Sequence, residues 1–128
     1  MKHTICKEFG FEASHCLDHL PEGHKCRQVH GHSYKVQVVV GAPDLDENGF
    51  VIDYAKFAVV GKKIDDELDH KHLNNVMGGL KPTAELIAKM IHGWVYDLII
   101  CDETVREDLV IVAVRVSETG KTWAEYRN

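Results

Sequence analysis

Two stretches of the chain alternate between apolar and polar residues, which is the pattern of strands with one buried face. The first runs from Thr4 to Phe11 and the second from Ser33 to Val40. Between them, residues 14–31 show no regular period and are rich in histidine, glycine and charge. A loop of that length in a small domain is usually functional or disordered. We therefore expect two strands joined by a loop that carries function.

Two later segments show the three- and four-residue spacing of amphipathic helices. Asp53 can cap the first helix, and Thr83 can cap the second, with Glu85 in its first turn. The expected buried stripe of the first helix is Tyr54, Phe57, Gly61, Ile64 and Leu68. That of the second helix is Ile87, Met90, Ile91, Trp94 and Leu98.

The last part of the chain has the pattern of a β-hairpin. Leu109 to Val116 is rich in β-branched residues, and a turn at residues 119–121 leads into Thr122 to Arg127. The order of elements predicts an α+β fold, with a four-stranded antiparallel sheet and two helices on one face. The length fits a single domain over residues 1–128, and the exposed edges of so small a sheet favour oligomerisation.

Composition narrows the range of functions. The hydrophobic fraction of 45% and the charged fraction of 27% are typical of a soluble globular protein. A net charge of -5 argues against a nucleic-acid partner, because phosphate backbones bind clustered Lys and Arg. No run approaches the roughly 18 apolar residues of a membrane span, and Met1 to Thr4 do not resemble a signal peptide. We therefore expect a cytoplasmic protein with no membrane partner, whose four widely spaced cysteines are thiols.

Five of the nine histidines lie close together, at positions 15, 19, 24, 30 and 32. His30-Gly31-His32 enters the second strand, so the two imidazoles point to the same side, and we expect Gly31 to leave room for a metal between them. His15 follows the first strand and reaches the same point if the two strands pair. Three imidazoles with an open fourth position are typical of catalytic zinc. We expect His19 and His24 to be solvated loop residues.

Cys26 precedes this pair of histidines and lies between Lys25 and Arg27. Neighbouring cations lower the pKa of a thiol towards the reactive thiolate, so Cys26 is a candidate catalytic base. Cysteine is also a zinc ligand, and the alternative is that Cys26 closes the zinc tetrahedron. The spacing leaves both interpretations open.

Two acidic positions are further candidates. Asp69 precedes His70, and an adjacent carboxylate can tune an imidazole as a proton donor, although such a pair is also common at helix ends. Glu118 continues the alternating face of the strand that ends at Val116, where a carboxylate needs a protein or ligand partner. The alternative for Glu118 is a simple charge at a strand end.

Five ordered motifs together resemble the 6-pyruvoyl-tetrahydropterin synthase family, over most of the chain. They are Phe11-Glu12-Ala13-Ser14-His15, Cys26-Arg27-Gln28-Val29-His30-Gly31-His32, Leu68-Asp69-His70 with Leu73-Asn74, Pro82-Thr83-Ala84-Glu85 and Ser117-Glu118-Thr119. Three residues separate the thiol from His-Gly-His, which is similar to the bacterial branch that makes 6-carboxytetrahydropterin for queuosine and related deazapurines.

The resemblance implies a tunnelling fold, in which ββααββ units form trimers and two trimers stack into a hexamer. It implies a Zn²⁺ ion held by His15, His30 and His32. Its implied roles for the other candidates are a general base for Cys26, a proton relay for Asp69 and His70, a pterin anchor for Glu118 and a further pterin contact for Thr83. It also implies that neighbouring subunits share each active site.

The implied substrate is a small pterin triphosphate. The implied reaction is a zinc-dependent lyase step from 7,8-dihydroneopterin triphosphate to 6-carboxy-5,6,7,8-tetrahydropterin, with release of triphosphate and acetaldehyde. Two alternatives remain: a synthase that acts on the same substrate but stops at the pyruvoyl product, and a non-catalytic module that binds zinc or pterin.

Overall fold

The computed structural model describes all residues from 1 to 128 and contains one five-stranded sheet. Its strands are β1 (His3–His15), β2 (His30–Ala42), β3 (Lys71–His72), β4 (Val110–Ser117) and β5 (Ala124–Tyr126). They lie in the order β3-β1-β2-β4-β5, and every neighbouring pair is antiparallel except β1 with β3. The four predicted strands and the terminal hairpin are therefore confirmed.

The long antiparallel pair of β1 and β2 positions the histidine-rich end of the sheet. Both strands extend further than the alternation alone predicted, and they pair without interruption from His3 with Ala42 to His15 with His30. Side chains two residues apart share a face of a strand. The buried face of β2 consists of Tyr34, Val36, Val38 and Val40, and His30 and His32 continue that face.

Three α-helices accompany the sheet: α1 (Ala58–Glu67), α2 (Leu73–Val76) and α3 (Ala84–Val95), the last continued by a π-helical turn over Tyr96–Ile100. Two short 3-10 helices cover Lys25–Arg27 and Tyr54–Phe57. Both predicted caps are present, because Asp53 accepts from Ala55 N and Thr83 accepts from Leu86 N. None of the helices has the length and apolar character needed to cross a bilayer.

The predicted stripe of the first helix was wrong at its start. Tyr54 is 56% exposed, whereas Phe57, Ile64 and Leu68 are buried and Val60 joins them. Tyr54 lies in the 3-10 turn that Asp53 caps, directly after the cap and before the first residue of α1. In α3, Ile87 and Ile91 are buried as expected, whereas Met90, Trp94 and Leu98 are only partly buried.

The sheet contains one strand more than predicted. Strand β3 has two residues and pairs in parallel with the end of β1, through Ala13 with Lys71 and Ser14 with His72. The helices cover one face of the sheet, and 24 buried residues between the layers form one hydrophobic cluster. This arrangement places the end of β1, the start of β2 and the segment after α1 side by side.

Candidate metal centre and active site

The three predicted metal ligands converge at one end of the sheet. His15, His30 and His32 each offer a nitrogen, and these nitrogens all lie within 4.8 Å of one another. The closest pair joins Nε2 of His15 to Nε2 of His30 at 3.0 Å. His15 is fully buried, and the other two are half-buried. His19 and His24 are exposed and lie outside the cluster, as predicted.

Backbone carbonyls fix which nitrogen of each ring faces the cluster. Nδ1 of His15 lies 2.8 Å from the Pro82 carbonyl oxygen, and Nδ1 of His30 lies 2.7 Å from that of Gln28. A carbonyl only accepts, so each Nδ1 carries a proton and each Nε2 presents a lone pair. Burial lowers the pKa of His15, which favours the neutral ring.

Two lone pairs that face each other at 3.0 Å repel unless a cation lies between them. Nε2 of His32 is buried beside them and has no hydrogen-bond partner. Three neutral imidazoles with oriented Nδ1–H groups are the donor set and outer contacts of catalytic zinc sites. The residues present therefore fit a zinc ion.

Tyr34 lies directly under the cluster, and sequence reasoning assigned it no function. Its side chain is 1% exposed, it stacks on Phe11 with ring centroids 4.7 Å apart, and its hydroxyl lies 3.2 Å from Nδ1 of His15. Burial, followed by the charge of Glu118, raises the pKa of this hydroxyl, which therefore stays protonated. The alternation of β2 contained the signal, because Tyr34 follows His32 by two residues.

The role expected for Gly31 was wrong. Alternation along β2 directs Gly31 to the face opposite His30 and His32, so its missing side chain makes no room for a metal between them. A Cβ at this position would lie 3.5 Å from the Ala13 carbonyl oxygen, an ordinary contact. The histidines meet because they share one face of the strand.

Glu118 lies at the same end of the sheet as the histidines. Its Oε2 is 3.8 Å from Nε2 of His32, and the two side chains are 28% and 17% exposed. Glu118 also lines a cleft of about 250 Å³ whose other walls are Ala84, Glu85, Val116, Thr122, Trp123 and Ala124. Thr83 directly precedes the cleft residue Ala84 in the sequence, but its hydroxyl caps α3 by accepting from Leu86 N at 3.3 Å.

Cys26 is half-buried in a loop that the backbone ties back to the metal cluster. Its carbonyl oxygen accepts from Leu17 N at 2.8 Å, two residues after His15. The Arg27 guanidinium donates from Nη1 to two carbonyl oxygens of the loop, at 2.6 and 2.7 Å. Arg27 therefore holds the loop closed beside the thiol.

Asp69 and His70 form a hydrogen-bonded pair, with 2.9 Å between Oδ2 and Nδ1. The other oxygen of Asp69 accepts from Glu12 N at 2.8 Å. These contacts, first from Glu12 and then from His70, lower the pKa of Asp69. The backbone of His70 is left-handed, with φ of 58°, a strained conformation for a non-glycine residue that is concentrated at functional sites.

The Asp69–His70 pair stands apart from the metal cluster within one chain. The side chain of His70 is 79% exposed, and no hydrogen bond joins the pair to Cys26 or to the three histidines. The structure thus brings together the three histidines and Glu118, and presents the acid–imidazole pair on the outer surface of the isolated chain.

The chain is similar to known proteins over most of its length. Residues 4–128 match the family described as 6-pyruvoyl tetrahydropterin synthase. A 6-carboxy-5,6,7,8-tetrahydropterin synthase of Synechocystis sp. is 42% identical over 92 residues, covering 68% of this chain and 70% of that protein. The protein of that name from Haemophilus influenzae is 33% identical, covering 96% of this chain and 97% of the relative. The solved 6-pyruvoyl tetrahydropterin synthase of Caenorhabditis elegans is similar with a TM-score of 0.81 at 23% identity, covering 98% of this chain and 95% of that one.

The antiparallel sheet with helices on one face defines a tunnelling-fold (T-fold) protein, and the three histidines at the end of that sheet form a candidate metal centre. The match over nearly the whole chain is more specific than the fold. The chain belongs to the 6-pyruvoyl tetrahydropterin synthase family. This membership confirms the resemblance that the five motifs predicted, and with it the prediction of an enzyme.

Proposed function

We propose that this chain is a zinc-dependent carbon–carbon lyase of queuosine and 7-deazapurine biosynthesis. With one molecule of water, it converts 7,8-dihydroneopterin triphosphate to 6-carboxy-5,6,7,8-tetrahydropterin and releases triphosphate and acetaldehyde. The names of the Synechocystis and Haemophilus relatives support this product. The observation that carries the metal part is the pair of Nε2 atoms of His15 and His30, which face each other at 3.0 Å while both Nδ1 atoms contact carbonyls.

His15, His30 and His32 hold the ion. Zinc bound there would supply a Lewis acid that polarises the hydroxyl and carbonyl oxygens of the substrate side chain. The carbonyls of Pro82 and Gln28 keep two of the rings in the tautomer that faces the ion.

Cys26 acts as the general base that removes a carbon-bound proton. His70 delivers a proton from Nε2, because Asp69 occupies its Nδ1. The lowered pKa of Asp69 keeps that carboxylate charged, so that it orients the His70 ring through the hydrogen bond to Nδ1. The pair thus completes the proton path that Cys26 begins.

Glu118 anchors the pterin ring in the cleft beside the zinc ligands. A carboxylate accepts the N–H groups of a pterin, and the half-exposed ring of Trp123 gives the cleft a flat apolar wall. Thr83 adds a contact from the adjacent end of α3. Oε2 of Glu118 lies 3.8 Å from Nε2 of the metal ligand His32, so a pterin ring bound to Glu118 has its side chain beside the metal.

One domain over residues 1–128 forms trimers that stack into a cytoplasmic hexamer. The exposure of His70 supports this assembly, because an acid–imidazole pair outside its own metal cluster can complete a neighbouring subunit's site. The edge strands β3 and β5 have backbone groups that can pair with strands of another chain.

Product analysis tests the reaction. Purified protein is incubated with zinc and 7,8-dihydroneopterin triphosphate, and the products are separated by mass. We expect the carboxy product and acetaldehyde in equal amounts. Pyruvoyl-tetrahydropterin alone would identify the synthase that stops earlier, and an absence of turnover with retained pterin binding would identify a non-catalytic module.

A pair of cysteine variants tests the base. Cys26→Ala removes the thiol of the candidate base, and Cys101→Ala removes an exposed thiol with no role in the site. We expect Cys26→Ala to lose turnover and retain zinc, and Cys101→Ala to behave as the wild type. Unchanged turnover in Cys26→Ala would exclude the thiol from the reaction.

A further inference from the structure

The backbone of Cys16, which directly follows the metal ligand His15, is held by a single side chain. Cys16 N donates to Oδ1 of Asn74 at 2.9 Å, and Nδ2 of Asn74 donates to the Cys16 carbonyl oxygen at 2.8 Å. One carboxamide thus satisfies both backbone groups of this half-buried residue. Paired groups at such a position would be unsatisfied if the amide were removed.

The side chain of Asn74 contacts Cys16 at the place where the next backbone pair between β1 and β3 would lie. Strand β3 pairs Ser14 with His72, an offset of 58 residues, and the same offset relates Cys16 to Asn74. Both strands have ended before these two residues, since β1 ends at His15 and β3 at His72. Asn74 belongs to α2, and its own backbone groups are directed along that helix. The side chain presents one donor and one acceptor to Cys16 in place of a neighbouring backbone.

Contacts between the end of β1 and residues 69–74 lie on both sides of the metal ligand His15 in sequence. Glu12 N donates to Asp69, strand β3 pairs with Ala13 and Ser14, and the hydroxyl of Ser14 lies 2.9 Å from Nδ1 of His72. Asn74 supplies the tie after His15, so the chain is fixed on both sides of that residue. On the other side of β1, His15 pairs with His30 in β2.

We propose that Asn74 is a positioning residue for the metal centre, whose carboxamide fixes the backbone after β1 and thereby holds His15 where its Nε2 meets the other two imidazoles. The inference rests on the metal part of the proposed function. Asparagine suits the task because one terminal group carries both a donor and an acceptor, whereas aspartate carries two acceptors and would oppose the Cys16 carbonyl oxygen.

The test measures zinc affinity by competition with a chromophoric chelator. Asn74→Ala removes both hydrogen bonds, Asn74→Asp keeps the shape but not the donor, and Asn75→Ala changes an exposed neighbour in the same helix. We expect zinc affinity to fall about 10- to 100-fold in both Asn74 variants, the range found when outer contacts of metal ligands are removed. The Asn75 variant should match the wild type.

The outcomes separate this inference from the function on which it rests. Wild-type protein that takes up no zinc overturns the proposed function, and this inference with it. Wild-type zinc uptake with equal affinity in folded Asn74→Ala overturns the inference alone. Retained affinity in Asn74→Asp also overturns it, because the shape would then suffice without the donor.

A measurement on the wild type covers variants that fail to fold. Hydrogen exchange resolved to single amides compares Cys16 N–H with His19 N–H, which has no partner in the same loop. We expect the Cys16 amide to exchange at least about 100-fold more slowly, as an amide that opens only with local unfolding does. Equal exchange rates would show that the carboxamide does not hold this backbone.

Discussion

Asp69→Asn gives a prediction whose geometry the structure determines. Oδ1 of Asp69 accepts from Glu12 N at 2.8 Å, so an amide introduced here must keep its oxygen on that side. Its NH2 group then faces Nδ1 of His70, now 2.9 Å from Oδ2. Because an amide nitrogen only donates, Nδ1 must become the acceptor, and the proton of the neutral ring moves to Nε2.

This change of tautomer, together with the loss of the carboxylate, removes the contact that orients His70 as a proton donor. Positioned acid–base groups contribute about 10²- to 10⁴-fold to a rate, so we expect kcat to fall by that amount. Zinc content should be unchanged, because the pair makes no hydrogen bond to the three histidines within the chain. The assay is steady-state release of acetaldehyde, with metal content measured on the same sample.

Asp66→Asn is the matched control. Asp66 lies on α1, is 59% exposed and pairs only with Lys62. Its variant should turn over at the wild-type rate. If Asp69→Asn were as active as Asp66→Asn, the proton-relay role of His70 would be refuted, and the strained backbone at this residue would need another explanation.

Three further results are expected. Glu118→Gln should abolish binding of a pterin analogue, measured by fluorescence quenching, and lower zinc affinity about 5-fold to several hundred-fold, because partly exposed charges near 4 Å interact by about 1 to 4 kcal/mol; unchanged pterin affinity would contradict the anchor. Tyr34→Phe should weaken zinc binding about two- to tenfold, since one hydrogen bond contributes about 0.5–1.5 kcal/mol, and a complete loss of zinc would contradict its supporting role. In metal-free protein, wild type should have a higher Tm than Asp69→Asn at neutral pH, and this difference should narrow below about pH 4. The reason is that a lowered folded-state pKa gives stability that is lost as the pH falls through it. A Tm difference that stays constant with pH would contradict that shift.

The strands that carry the metal ligands could be predicted because their signal is local. Alternation through Tyr34 and Val36 extends back to His32 and His30, and alternation in β1 extends from Phe11 to His15. Neighbouring antiparallel strands then place His15 opposite His30, as observed. Two-residue periodicity and short-range pairing were sufficient for this part of the site.

The supporting contacts could not be predicted, because they join distant segments through single groups. The carbonyl of Pro82 contacts His15 across 67 positions, and the amide of Asn74 contacts Cys16 across 58. A two-residue strand such as β3 is too short to show a period. The 3-10 turn that contains Tyr54 has about 3.0 residues per turn, whereas an α-helix has about 3.6. A segment of four residues is too short for the sequence to show that difference.

The central claim is a zinc ion held by three histidines with Cys26 outside the coordination sphere. The most direct test is the zinc content of purified wild type, His30→Ala and Cys26→Ala by mass spectrometry of the metal. We expect about one zinc per chain in the wild type and in Cys26→Ala, and almost none in His30→Ala. Full zinc content in His30→Ala, or loss of zinc in Cys26→Ala, would contradict the ligand set.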